Sequence, residues 1–305
     1  MAREPVRGNA PLIRRALVIV NPAARRGNAA ARSAARAFAA LGVECDVVIT
    51  RRRGHAAEVA VANSADYDAV FALGGDGTAV EVIGALAPDG PPVGVLPGGT
   101  GNLLARALGI SMSVERAVRM LVSGDQVHLD LGRLSDGTRF AIGAGVGIDA
   151  SMIAGTSQRW KRRAGVLAYV VAGMTHVIRR RRFTARVTVD GSTVVRQAAA
   201  LLVVNFGVLL NGLVTLGDGI RHDDGKLDVC IFDPVSVIDA ARIARKLVFR
   251  NFSPDPAMTY LQGTHFHVET EPSHPVQADG ELVGRTPFVV TAEPLAAWLL
   301  VPRVK

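Results

Sequence analysis

The sequence predicts an N-terminal α/β domain of the doubly wound type, followed by a C-terminal antiparallel β-sandwich. Three observations predict it. Short apolar runs alternate with helix-like stretches through the first 126 residues. Two of those runs end in glycine-rich turns, Gly74-Gly75-Asp76-Gly77-Thr78 and Pro97-Gly98-Gly99-Thr100-Gly101-Asn102. Beyond residue 127, short β-rich runs are punctuated by turn signals such as Ser135-Asp136-Gly137, Asp190-Gly191 and Asp279-Gly280. Alternating strand and helix implies a parallel sheet with right-handed crossovers, whereas closely spaced strands with tight turns imply antiparallel pairing.

Each element has its own signal. Residues 16–20 form a continuous apolar run, as a buried parallel strand requires, and end at Asn21-Pro22. An Ala/Arg-rich helix over 29–41 follows, with Phe38 and Leu41 inward, Arg32 and Arg36 outward, and Gly42 as its C-cap. The second strand spans 44–50, with Thr50 at its carboxyl end, and a helix spans 55–63. Strands at 69–73 and 92–96 lead into the two glycine turns, each followed by a helical segment. An amphipathic helix over 113–123 closes the first domain, with Ser113 as N-cap and Gly124 as its end. The second half reads as strands at 127–134, 139–147, 183–189, 193–206, 227–232, 265–270, 275–283 and 287–291, with one inserted helix at 237–249.

Composition narrows the function. The chain has 305 residues, 49% apolar and 20% charged, enough to bury a sizeable core. Its two cysteines, Cys45 and Cys230, offer neither a disulfide framework nor a metal-ligand spacing, which fits a reducing, cytoplasmic setting. The net charge of +8 favours anionic partners: nucleic acid, an anionic membrane face or phosphorylated substrates. With 5% aromatics and no RNA-binding signature, no nucleic-acid partner is expected. Residues 1–11 lack the apolar core of a secretory signal and read as a tail. The longest mostly apolar run, 164–178, falls short of the ~20 residues a membrane span needs. The histidines show no metal-ligand spacing.

The two glycine turns point to phosphate. They fall at the carboxyl ends of buried strands, where open α/β sheets place ligands. Glycines admit a bulky anion close to the backbone, and the following helix N-terminus adds donors and positive potential. Thr78 and Thr100 offer hydroxyls. Asp76 beside an anion calls for a cation, a bound water or a substrate hydroxyl between them. Neither turn is a Walker A motif or a dinucleotide G-x-G-x-x-G.

Together the two turns resemble the diacylglycerol kinase catalytic-domain family, which includes bacterial soluble lipid kinases, ceramide kinases and sphingosine kinases. The first turn alone is shared with NAD kinases and, more loosely, with phosphofructokinases; the second favours the lipid kinases. The resemblance implies an N-terminal domain of the NAD kinase/phosphofructokinase type over 1–126. It also implies that the chain's final segment, 295–305, returns to that domain, leaving 127–294 as a β-rich domain for lipid and metal. It implies ATP and Mg²⁺ as cofactors, with Asn21, Pro22, Thr50, Gly74, Gly75, Asp76, Gly77, Thr78, Glu81, Gly98, Gly99, Thr100, Gly101 and Asn102 around the nucleotide. Two departures stand out. The family's small residue and glycine after Asn-Pro are displaced by Ala23-Ala24-Arg25-Arg26-Gly27, and Val80 replaces an asparagine before Glu81.

Two Asp-Gly turns in the second half also match the family in order. By resemblance the first is a Mg²⁺ site, with Asp224 binding through its side chain and Arg221 and Lys226 through their carbonyls. The arginine there is a departure that puts charge near a cation. The second, Asp279-Gly280-Glu281, supplies the general base through Glu281, with Asp76 as the rival base. Asp130 resembles a further carboxylate of the metal–water network. On the residues alone, each Asp-Gly is an ordinary hairpin turn.

Residues 158–183 place Arg159, Trp160, Lys161, Arg162 and Arg163 before an apolar run and four arginines, 179–182, after it. This pattern suits a helix at an anionic membrane surface, and equally a buried helix with solvated ends. The expected function is an ATP-dependent lipid kinase acting on diacylglycerol or a related lipid, peripherally associated with the membrane. The alternatives are an NAD kinase-like phosphotransferase and a catalytically inactive nucleotide- or lipid-binding module. The oligomeric state stays open, a homodimer included.

Overall fold

The computed structural model describes residues 7–9, 12–22, 27–99, 101–147, 182–209 and 214–303. The chain divides into two compact units, one of residues 1–131 with 294–305 and the other of residues 132–293.

The first unit is built on a parallel sheet. β1 (Arg7–Asn9) is a short antiparallel partner of a later strand. β2 (Arg15–Val20), β3 (Glu44–Ile49), β4 (Ala69–Gly74) and β5 (Val93–Pro97) pair in the spatial order β5-β4-β2-β3, all parallel. β4 and β5 are buried along their whole length, as central strands covered on both faces must be. β3 is an edge strand, and most of its side chains are exposed. The connecting helices are α1 (Gly27–Ala39), α2 (His55–Asn63), α3 (Asp76–Leu86), α4 (Leu103–Ala107) and α5 (Val114–Val122). α1 lies beside α5, and α2 beside α3. The Phe38 ring from α1 meets the Phe71 ring from β4 edge-on at 4.8 Å, which anchors the helix to the sheet. Ser113 occupies the N-cap position of α5, but its side chain makes no capping hydrogen bond.

β6 (Asp125–Leu134) crosses from the first unit into the second, pairs with β1 and, through Gly132 and Arg133, with β7 (Arg139–Phe140). The second unit is an antiparallel sandwich. One sheet aligns β10 (Ser192–Ala198), β9 (Phe183–Val189), β16 (His265–Glu271) and the first part of β19 (Phe288–Val301). The other runs β15 (Met258–Gly263), β14 (Leu227–Phe232), β11 (Ala200–Val204), β8 (Gly143–Val146), β17 (Pro275–Ala278) and β18 (Glu281–Arg285). A two-stranded ribbon, β12 (Val208–Leu209) with β13 (Val214–Thr215), stands apart.

Alternation sorts the side chains of β11 and β14 onto two cores. Leu201, Val203, Leu227, Val229 and Ile231 pack between the sheets. Leu202, Val204, Cys230 and Phe232 point the other way, onto Ala240, Ile243, Ala244 and Leu247 of helix α6 (Val237–Phe249). Strands buried on both faces lose the polar alternation of an ordinary antiparallel strand, and this is what β11 and β14 show.

Several strands differ from the sequence reading: 139–147 is two strands, β7 and β8, β19 runs on to Val301, and β12, β13 and β15 lie where no strand was expected. The run 193–206 is two strands in different sheets: Ala198 pairs with Phe183, while Ala200 pairs with Phe232. The run 275–283 is a hairpin, not one strand, because Asp279 and Gly280 adopt positive φ (45° and 92°). β19 continues out of the sandwich into the first unit, where Leu299 pairs in parallel with Val93 of β5. No helix among the described residues is long and apolar enough to cross a membrane.

Candidate active site

In the first unit the two glycine turns meet backbone to backbone. The carbonyl of Gly74 accepts from the N–H groups of both Gly98 (2.8 Å) and Gly99 (3.0 Å). A Cβ added at Gly99 would stand 2.6 Å from Gly75 Cα, so only glycine lets the turns close on each other. Asn102 sits in the left-handed region (φ 48°) and clamps its own turn. Its Oδ1 accepts from Gly99 N at 2.9 Å, and its Nδ2 donates to Gly99 O at 2.8 Å. The Gly101 carbonyl accepts from Arg106 Nε at 2.8 Å.

The same contacts sort the main-chain donors. The N–H groups of Gly98 and Gly99 are turned inward to join the two turns, and they present no donor to an anion. The first turn of α3 does: Asp76, Gly77 and Thr78 have no intrahelical carbonyl to bond. Thr78 is buried at 6% exposure, and its hydroxyl oxygen accepts from Asn21 Nδ2 at 3.1 Å. It therefore ties the end of β2 to α3. Asp76 Oδ1 accepts from Leu104 N at 3.0 Å, which fixes the carboxylate between the starts of α3 and α4. Glu81 Oε1 accepts from Gly54 N at 3.3 Å, and buried Thr50 donates its N–H to Val20 O at 2.8 Å. Both hold the loop after β3. Pro22 lies in the exposed turn after β2. Thr100 and Arg25 lie outside the described residues.

Asp130 is fully buried, and its Oδ1 accepts from Leu295 N at 2.7 Å. Leu295 has φ 48°, a conformation that costs a leucine roughly 1–2 kcal/mol. A buried carboxylate aimed at that N–H offsets the cost. In this structure Asp130 therefore holds backbone in the first unit.

In the second unit, Asp279 is the centre of a backbone clamp. Its carboxylate accepts from Ala141 N (2.7 Å), Ile142 N (2.9 Å) and Gly143 N (2.9 Å), and its own N–H donates to Gly143 O (2.9 Å). Asn205, fully buried, holds the same stretch from behind: Nδ2 donates to Ala141 O at 3.0 Å and N to Ile142 O at 2.9 Å. Two residues past Asp279, Glu281 begins β18 with an exposed side chain. The sequence offered no signal for Asn205, because its partners are main-chain atoms more than sixty residues away in sequence.

The first Asp-Gly turn gathers oxygen atoms. Arg221 donates through Nε and Nη2 to the two carboxylate oxygens of Asp223 (3.0 Å each), so its charge is matched before any cation arrives. Asp224 Oδ1 accepts from Lys226 N at 3.1 Å, and Asp224 is exposed. The Gln262 amide donates to Asp224 Oδ2 (3.5 Å) and to Asp228 Oδ1 (3.4 Å). Asp228 Oδ2 is buried with no hydrogen-bond partner among the described residues. Among those residues no group of three or more His, Cys, Asp or Glu has metal-binding geometry. The Asp224 and Asp228 carboxylates, joined through the Gln262 amide, are hard oxygen donors of the kind taken by a cation that keeps several waters.

Burial pushes the Asp228 carboxyl up to about 6, with the Asp224 charge adding to the rise and the Gln262 hydrogen bond opposing it. The folded state thus holds this proton more tightly than the unfolded chain, whose aspartates titrate near ~3.9. The stability that neutral Asp228 contributes is fully present below that value and is lost as pH rises through about 6. In chelator, thermal unfolding between pH 4 and pH 7 should show this loss. Asp228→Asn should remove it, leaving the variant more stable than wild type at neutral pH.

Comparison with known proteins fits this layout. The diacylglycerol kinase catalytic domain model matches residues 15–134, and the YegS C-terminal NAD kinase beta sandwich-like domain model matches residues 142–301. The chain belongs to the diacylglycerol kinase family. A diacylglycerol kinase of Staphylococcus carnosus is 26% identical over 250 residues, covering 81% of each chain. An uncharacterised protein of Synechocystis is 27% identical over 237 residues, which is 76% of this chain and 54% of the relative, so this family member spans about half of that protein's length. A crystal structure of a diacylglycerol kinase from Bacillus anthracis superposes with a TM-score of 0.74 at 20% identity, covering 95% of this chain and 98% of that one. At that identity the likeness establishes the fold.

Proposed function

We propose that this family member transfers the γ-phosphoryl group of ATP to the hydroxyl of diacylglycerol or a related lipid, with Mg²⁺ as the metal, at the cytoplasmic face of an anionic membrane. The observation that carries this reading is the closed pair of glycine turns with Asp76 at the start of α3, in a chain whose two halves match the two family domains.

ATP supplies the phosphoryl group, and a divalent metal supplies positive charge beside its oxygens. The chain supplies the rest. The first-turn N–H groups of α3 bind phosphate oxygens. The Leu104 N–H holds Asp76 in a single orientation. The Asp279 clamp fixes the hairpin that carries Glu281. Either Glu281 or Asp76 takes the proton from the lipid hydroxyl as it attacks. Asp224, with the carbonyls of Arg221 and Lys226, would hold a second, structural cation.

The test is transfer of labelled phosphate from Mg-ATP to diacylglycerol, monoacylglycerol, ceramide, sphingosine and phosphatidylglycerol in detergent micelles, with NAD as a control. Label is expected in one lipid. Glu281→Gln should lower kcat by about 10²–10⁴-fold with ATP binding kept, the range for a general base. Should Asp76→Asn show that pattern instead, Asp76 is the base. Label in NAD alone, or ATP binding with no transfer to any acceptor, would overturn the lipid kinase reading; the second result favours the inactive binding module.

A further inference from the structure

Helix α6 has an outer face that its inner packing does not explain. Its inner stripe, Ala240, Ile243, Ala244 and Leu247, is buried in the second unit. An amphipathic surface helix turns polar residues outward. Here Ile238 is 78% exposed and Phe249 69% exposed. Val235 and Val237, at the helix entry, are 59% and 62% exposed. At 3.6 residues per turn Ile238, Arg245 and Phe249 fall on one stripe, and Arg250 caps the end in the left-handed region.

The charges around this stripe are one-sided. Asp239 is paired with Arg242 at 2.7 Å, and Asp255 with Arg242 at 2.9 Å and Lys246 at 3.6 Å. Asp233, just before the helix, is paired with Arg182. All three acids are therefore matched. Arg245 and Arg250 are exposed and have no ion pair among the described residues. The face offers apolar side chains at both ends with unmatched guanidinium groups between and beside them.

We propose that this outer face of α6 docks on an anionic lipid bilayer, with Ile238 and Phe249 entering the acyl boundary while Arg245 and Arg250 meet the head groups. Two ends of one helix, separated by about 16 Å at 1.5 Å per residue, would lie level with the surface, the geometry of an interfacial helix. Unmatched positive charge favours an anionic surface and opposes the approach of a second copy carrying the same arginines. The inference rests on the lipid kinase reading for the choice of a bilayer as partner.

The test is co-sedimentation of the full chain with vesicles of phosphatidylcholine containing phosphatidylglycerol, and with pure phosphatidylcholine vesicles. Binding is expected to the anionic vesicles and to weaken with salt. Ile238→Ser with Phe249→Ser should weaken it by about tenfold or more. Arg245→Gln with Arg250→Gln should weaken binding to anionic vesicles and leave that to neutral ones little changed. Phosphorylation of a water-soluble, short-chain lipid should be unaffected in both pairs, which checks the fold. Unchanged partitioning of the apolar pair, or no binding of the wild-type chain, would overturn the proposal. So would loss of a dimer in the same variants without vesicle binding, which would make this face an interface between copies. Vesicle binding through α6 without phosphorylation of any lipid would keep the docking surface and remove the kinase reading.

Discussion

Replacing Asp279 by alanine is expected to destabilise the protein by about 3–5 kcal/mol and to remove its activity. The carboxylate satisfies three consecutive main-chain N–H groups, at 2.7, 2.9 and 2.9 Å, and Ala141 and Ile142 are buried. A hydrogen bond to a charged acceptor is worth roughly 1.5–3 kcal/mol, and stranding its donor costs a comparable amount. Alanine would strand all three. It would also occupy φ 45°, which Asp and Asn tolerate and alanine resists. Asp279→Asn separates the two effects. It keeps the turn conformation and one acceptor oxygen, so it should lose about half as much stability. Because Glu281 follows in the same hairpin, the asparagine variant should lose kcat more than it loses KM for ATP. Denaturant unfolding with steady-state kinetics measures both. A fully stable Asp279→Ala protein would refute the clamp.

Two facing glycines in the first unit should respond very differently to one methyl group. A Cβ on Gly99 would lie 2.6 Å from Gly75 Cα and 3.2 Å from both Gly75 N and Asn102 Oδ1, and main chain offers no easy retreat. A Cβ on Gly75 would lie 3.7 Å from Gly99 Cα, an ordinary contact. Gly99→Ala is therefore expected to destabilise by about 1–3 kcal/mol and to open the paired turns, with loss of ATP binding. Gly75→Ala should cost less than about 1 kcal/mol, since its φ of −87° suits any residue. Calorimetric titration with ATP and thermal unfolding of the two variants provide the comparison. Equal losses would mean that the turns are not held by this contact.

Much of this architecture was legible because it is local. Continuous apolar runs marked β2, β4 and β5, and the inserted helix expected at 237–249 is α6 to the residue. The sandwich followed from turn chemistry. What escaped depended on partners far along the chain. The run through Ala199 looks like one strand because the sheet switch involves no proline or glycine, only a change of neighbour from Phe183 to Phe232. The engagement of Gly98 and Gly99 has no local signal, because the carbonyl of Gly74 that binds them belongs to the other turn. Asp279 reads as any hairpin aspartate until residues 141–143 are brought to it. The basic segment at 158–181, prominent in the sequence, lies outside the described residues.

The first unit is completed by a segment, 294–305, that follows Leu131 by more than 160 residues. On a ribosome adding about 5–20 residues per second, that gap lasts about 8–30 s. During it the β-sandwich can close, while β5 waits with an open apolar edge for the strand carrying Leu299. An unpaired edge of this kind is a template for pairing with another chain. Nascent chains of this protein therefore pass through a stage in which the nucleotide-binding half is the later of the two to be finished, although it is the first to be made.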